Sequence, residues 1–187
     1  MSISINKLLI IAGIGLLASC KSTAPSMGEK VKEPFSGSAY ESNNRFFRAV
    51  GKGVSMKDNI AESKADMDAK TELAGQVGTN MRNVSDQYAS ETGYGNKDEI
   101  TEKFQSLSRQ VMNTELADIR KIGQEKYFNQ ETGDYTVYIV YEVKKSAMFR
   151  FMKKQAKLDE KMNDATRKAV EEILDEEIKR LEAEGED

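Results

Sequence analysis

Hydrophobic and polar positions divide the chain into segments of different period. Leu8 to Ala18, "LLIIAGIGLLA", is apolar and uncharged, with Lys7 before it and polar "KSTAPS" close behind. It is too short for a membrane span, which needs about 20 apolar residues to cross ~30 Å of hydrocarbon. From Cys20 to about Ser42, Ser, Gly, Pro and Lys mix without apolar period, the composition of a tether. "RFFRAVGKGVS", Arg45 to Ser55, is aromatic and β-branched and predicts a strand. Residues 56–90 then take the helical period. Ala61, Ala65, Ala69 and Leu73 recur every fourth position and continue into Val77 and Met81; Ile60, Met67, Ala74, Val77, Met81, Val84 and Tyr88 form a neighbouring apolar stripe. Ser55 or Asp58 is the expected helix cap. A ridge of alanines lets a helix backbone approach a sheet closely.

"GYGNKDE", Gly93 to Glu99, breaks that pattern, and a second helix is expected from Lys97 to Asn113 with Ile100, Phe104, Leu107 and Val111 on one face. Residues 115–129 and 134–144 read as two strands joined by the Gly-containing turn "QETGD". In the second, Tyr135, Val137, Ile139, Tyr141 and Val143 alternate with Thr136, Tyr138, Val140 and Glu142. One face is apolar and the other partly so, as suits a central or helix-covered strand. From Ser146 to about Glu184 the chain reads as one charged helix, its apolar positions including Phe149, Met152, Leu158, Met162, Ala165, Ala169, Ile173, Leu174, Ile178 and Leu181. Its far end outruns a small sheet. It is expected to project, to dock on a partner, to pair with a second copy, or to remain a solvated tail. The expected fold is α+β: a small three-stranded, largely antiparallel sheet packed by helices, in the order β-α-α-β-β-α, with a long C-terminal helix. Residues 1–19 form the leader, 20–44 a flexible tether, 45–152 the α+β domain and 153–187 an extended charged helix.

The one cysteine of 187 residues, Cys20, ends the sequence Leu17-Ala18-Ser19-Cys20 directly after the apolar run. A basic start, a short apolar region and small residues at its end are the pattern of a secretory signal. These four residues resemble the lipobox of bacterial lipoproteins. The resemblance implies a thioether-linked diacylglycerol on Cys20, cleavage before it and acylation of the new amino group. Each buried CH₂ contributes about 0.8 kcal/mol, so two or three long chains anchor durably. With no second Cys and no His, Cys20 has neither a disulfide partner nor a base to activate it. Lys21, in place of the Asp that often retains lipoproteins in the inner membrane, implies outer-membrane sorting. The lack of an acidic run in "KSTAPS" favours the periplasmic face over the cell surface.

Loss of residues 1–19 leaves 168 residues and removes one Lys and no acid, moving the net charge from −3 to −4. That suffices for one domain with a real core. Mild acidity argues against nucleic acid, which needs a concentrated basic face. The absence of His and of a second Cys excludes Ser-His-Asp and Cys-His catalysis and zinc sites built on those residues. No metal or cofactor site is expected. Carboxylate pairs remain for glycoside chemistry: Asp66 with Asp68, Asp98 with Glu99, and the run Glu171, Glu172, Asp175, Glu176, Glu177. Among 31 acidic residues such neighbours arise freely and usually form solvated helix faces. "GYGNKDE" lacks the spaced ligands of a calcium loop, and "GKG" lacks the Ser or Thr of a phosphate loop.

The order strand, helix, helix, hairpin, helix gathers around Gly51 and Gly53, then Ala61, Ala65, Ala69, Leu73 and Ala74. From about Arg45 to Met152 this resembles the 20-kilodalton bacterial outer-membrane lipoprotein family. The resemblance implies a sheet packed on helices in an envelope protein without established catalysis. The long C-terminal helix departs from the family, so a partner-binding role of the family's tail does not carry over. The expected function is therefore non-catalytic: protein–protein interaction or assembly of an envelope complex, through the sheet edge or the last helix. The alternatives are a lipid or small-molecule carrier with a cavity between helix and sheet, and a carboxylate hydrolase acting on peptidoglycan.

Overall fold

The computed structural model describes residue 28, residues 31–112 and residues 119–184. The chain divides into two units, Met1–Val31 and Lys32–Asp187. In the first, Gly28 and Val31 are described and both are exposed. In the second, a 3-10 turn at Ser38–Tyr40 precedes β1 (Phe46–Ser55), α1 (Asp58–Thr92), α2 (Lys97–Met112), β2 (Arg120–Phe128), β3 (Tyr135–Lys144), α3 (Lys145–Leu158) and α4 (Asp164–Ala183). The fold is α+β. Its sheet is antiparallel with strand order β1-β3-β2, so the hairpin's second strand is central.

Two glycines fix how α1 meets the sheet. The ridge Ala61, Ala65, Ala69 is fully buried against β1. A Cβ added at Gly51 would stand 2.1 Å from the Ala65 carbonyl oxygen, and one at Gly53 would stand 2.0 Å from that of Ala61. Helix backbone and strand backbone are thus in direct contact, which only Gly against Ala permits. The ridge continues through Leu73, Val77, Met81 and Ser85. At 35 residues α1 is about 50 Å long, while a ten-residue strand is about 33 Å. Its second half therefore overruns the sheet and packs on α2 and α4. It stops at Gly93, whose left-handed φ of 70° lets its N–H close on the Ala89 carbonyl.

Several expectations need correction. Ile60 and Met67, read as part of an apolar stripe, are exposed, because the strict four-residue ridge takes the sheet contact. Neither Ser55 nor Asp58 caps α1; the cap position is Lys57, without a side-chain bond. The single helix read over Ser146 to Glu184 is two helices. The turn between them contains no Gly or Pro but is held by polar side chains. Asp159 Oδ1 accepts the Lys161 N–H at 3.0 Å, and Asn163 Oδ1 caps α4 by accepting the Thr166 N–H at 2.9 Å. Arg167 Nη2 donates to the carbonyls of Asp159 and Met162. α4 folds back on α3, burying Ala169, Val170, Ile173, Leu174 and Leu181 inside the domain.

Residues 32–44, read from composition as part of the tether, lie across the sheet's second face. Phe35 sits over Gly123, and Glu33 bonds Lys52 at 2.8 Å and the Tyr138 hydroxyl at 3.3 Å. Beneath them Glu142 is buried and bridges all three strands in register. Arg48 Nε and Nη2 reach its Oε2 at 2.7 and 2.5 Å, and Arg120 Nη2 reaches its Oε1 at 2.9 Å.

Candidate functional site

Because α1 stands over β1 and β3, the helix-facing side of β2 is bare. Register places Lys121, Gln124, Lys126 and Phe128 there, opposite Tyr141, Ile139, Val137 and Tyr135. Between this half-sheet and α1 runs an open groove of about 910 Å³. Met67 and Ala74 supply apolar surface, and Glu62, Asp66, Lys70, Arg109 and Lys121 supply charge.

Asp66 anchors the polar wall. Its Oδ1 accepts from the Tyr141 hydroxyl at 2.5 Å and its Oδ2 from Lys70 Nζ at 2.9 Å. Lys70 also lies over the Tyr141 ring, 5.4 Å from its centroid. Burial pushes the Asp66 carboxyl up, but the hydrogen bonds from Tyr141 and Lys70 outweigh it and hold Asp66 below the ordinary carboxylate range. Burial and Asp66 push the Tyr141 phenol well above its ordinary value. Hydrogen bonding from Lys126 likewise holds Asp58 low. At neutral pH the wall is thus an ionised acceptor beside a neutral phenol. It is suited to holding polar groups and poorly suited to proton transfer, which needs a pKa near the working pH.

The β-sheet edges differ. Arg48 and Lys52 N–H groups turn away from β3, to Ser42 Oγ at 2.8 Å and Asp68 Oδ2 at 2.9 Å. Asn43 Oδ1 takes the Phe46 N–H, Gln76 reaches the Arg48 carbonyl and Lys64 that of Val54. Side chains therefore close most of the β1 edge. The alternation that turns Arg48 and Lys52 outward makes Gln124, Lys126 and Phe128 turn outward on β2. Their backbone groups have no partner among the described residues. Composition did not separate the two edges; the signal was Ser42, Asn43 and Asp68, polar residues whose reach onto β1 depends on the fold.

The carboxylate pairs named as candidates for glycoside chemistry are not brought together at one site. Asp66 faces the groove, whereas Asp68 serves the β1 edge. Glu99 bonds Asn163 and Thr166, away from Asp98. The acidic run of α4 is spread over separate partners: Glu171 on Lys157, Glu172 on Tyr88, Asp175 on Lys153 and Glu177 on Arg180. Among the described residues no cluster of three or more His, Cys, Asp or Glu is placed to hold a metal, and no helix is long and apolar enough to cross a membrane. The lipobox, Leu17, Ala18, Ser19 and Cys20, lies outside the described residues, as does the leader. No protein-family model matches the chain, and no curated protein matches it in sequence.

Proposed function

We propose that this chain is a non-catalytic lipoprotein of the bacterial outer membrane, acylated at Cys20 and facing the periplasm, whose domain binds another envelope protein in assembling a complex. The N-terminal pattern supports the anchor. The observation that supports binding is the inequality of the sheet edges: β1 is closed by side chains while β2 is open, with a groove along its bare side. Past the bulge between Lys121 and Gly123, the β2 edge from Gln124 to Phe128 is regular and unpaired among the described residues, and an exposed edge is a template for an added strand. Of the two surfaces expected to meet a partner, the last helix spends its apolar side within the domain, which leaves the edge. The partner supplies an extended segment that pairs with β2 and lays alternate side chains into the groove.

A photo-crosslinking residue replacing Lys126 in living cells tests this, with one replacing exposed Lys179 as control. The expected result is an adduct from position 126 and none from 179. Gln124→Pro removes one outward N–H while sparing the bonds to β3, so it should abolish the adduct and leave the fold intact. No adduct at 126, or one indifferent to the proline, refutes the reading. The groove's volume favours a second reading, a carrier holding a small ligand there; native mass spectrometry of protein purified from the envelope would reveal the bound molecule.

A further inference from the structure

Of the eight large apolar side chains exposed among the domain's described residues, five collect at one end, while Met67, Ile122 and Leu158 stand apart from it. Register makes Val54, Thr136 and Tyr127 one row across the three strands and Ser55, Tyr135 and Phe128 the next. Met56 follows, and Ile60 lies in the first turn of α1. Met56 is 73% exposed, Phe128 52%, Tyr127 48%, Val54 42% and Ile60 41%. The chain joins the folded unit at this same end: Lys32, Glu33 and Pro34 line a shallow pocket with Tyr127, Thr136 and Tyr138.

We propose that this end is a membrane-contacting surface, seated at the boundary of headgroups and acyl chains in the bilayer that holds Cys20. The inference rests on the lipid-anchor reading above. Eleven residues lie between Cys20 and Lys32; fully extended, the stretch from one to the other spans about 40 Å, so the tether permits contact without enforcing it. It does keep the patch at high effective concentration beside the lipid. Methionine, phenylalanine and tyrosine at the point where an anchored chain enters its domain suit that boundary, where an aromatic body is buried and a polar tip stays wet.

Charge says which lipid is needed. Lys52 is paired with Glu33 and Lys126 with Asp58, while Glu131 and Asp134 stand in the adjoining hairpin turn. Lys32, Lys57 and Lys64 have no ion pair among the described residues, against the unpaired Glu131 and Asp134. The end is not strongly basic, so the contact is apolar and does not require an anionic lipid.

The chain contains no tryptophan, so one introduced residue reports alone. The full-length variants M56W and F128W, with K168W as control, are coupled through Cys20 to a maleimide lipid in phosphatidylcholine vesicles. Lys168 is exposed on α4, near the Glu172 that bonds Tyr88 in the last turns of α1, far from Met56. Brominated acyl chains should quench M56W and F128W about twofold, with a blue-shifted emission, and leave K168W unchanged, as expected for burial ~5–10 Å below the surface. Equal quenching in all three, or none in M56W and F128W, overturns the proposal. So does quenching that needs phosphatidylglycerol and vanishes at high salt. Unquenched M56W in a protein that sediments as a dimer would assign the patch to a second copy and likewise overturn it. Because the coupling is chemical, this result is independent of natural acylation, which the intact mass of the protein purified from cells decides.

Discussion

Replacing Gly51 by alanine tests the contact on which the fold turns. The added Cβ would lie 2.1 Å from the Ala65 oxygen, 2.3 Å from the Ala69 nitrogen and 2.8 Å from the Ala69 Cβ, against ordinary contact of 3.4 Å or more. The shortfall is roughly 1.3 Å at the closest atom, and that atom is backbone, so no rotamer change relieves it. α1 must lift from β1. Overpacking costs typically ~1–3 kcal/mol, and with two backbone atoms in the way we expect the top of that range. For a domain of this size ~3 kcal/mol lowers Tm by about 6–12 °C. Urea unfolding followed by far-ultraviolet circular dichroism measures it. Adding Ala69→Gly removes the 2.8 Å neighbour but not the two closest atoms, so it should not rescue. Gly75→Ala is the control: nothing lies within 4 Å of its Cβ, and the variant should gain about 0.5–1 kcal/mol from helix propensity. The reasoning fails if G51A and G75A unfold at the same urea concentration, or if Ala69→Gly restores G51A.

Two further outcomes follow from charge. Arg48 and Glu142 are nearly enclosed, with 14% and 10% of their side chains exposed, whereas Arg120 is 60% exposed. Arg48→Ala leaves the buried Glu142 Oε2 without its partner, with only the exposed Arg120 still on Oε1, and should cost about 3 kcal/mol, while Arg120→Ala should cost less than ~1 kcal/mol; equal losses in urea unfolding would show that the ladder is not arranged this way. The Asp66 carboxyl titrates below its ordinary 3.8 in the folded protein. Its ionised form therefore favours folding: the contribution is full above about pH 5 and is lost as the pH falls through the folded value. Asp66→Asn should be less stable than the parent at pH 7, with the gap closing toward pH 2; a gap that persists at pH 2 would assign the loss to packing instead. Asp58 and Asp159 share the same direction, so the variant keeps part of its acid sensitivity.

Most of the secondary structure was legible because the determining signals are local. The four-residue alanine spacing, Gly93, and the alternation of Tyr135 to Val143 each act within a few residues of themselves. The break at Asp159–Asn163 was harder. Asn163 and Asp164 are cap-type residues, but "KLDEKMND" carries apolar residues at near-helical spacing and no Gly or Pro, and Arg167 completes the turn from the following helix. The second face of the sheet was illegible for another reason. "VKEPFSGSAYES" has no period of its own; its order comes from Phe35 meeting Gly123 and Glu33 meeting Lys52, partners 88 and 19 residues away. The groove depends on where a helix lies across a sheet, which hydrophobic period alone does not specify.

That placement has a cause in the sequence. On the helix-facing side of the central strand the side chains are Val137, Ile139, Tyr141 and Val143, all bulky, while β1, after Phe47 at its start, offers Ala49, Gly51 and Gly53. The lowest ground in the sheet is thus off centre, and a ridge of alanines settles there rather than over the middle strand. One helix cannot cover an off-centre groove and also shield the far strand. β2 is left with its side and its edge in solvent, carrying Lys121 and Lys126 where a covered strand would carry Val or Ile. The two glycines therefore do more than permit close packing. By drawing α1 toward β1 they create the opening along β2 and bring Asp66 within reach of Tyr141. A substitution that lifts the helix should loosen that hydrogen bond together with the core, so the pH dependence assigned to Asp66 should shrink in G51A even in the fraction that remains folded. A folded G51A that keeps the full Asp66 contribution would separate the groove from the glycine contact and remove this link.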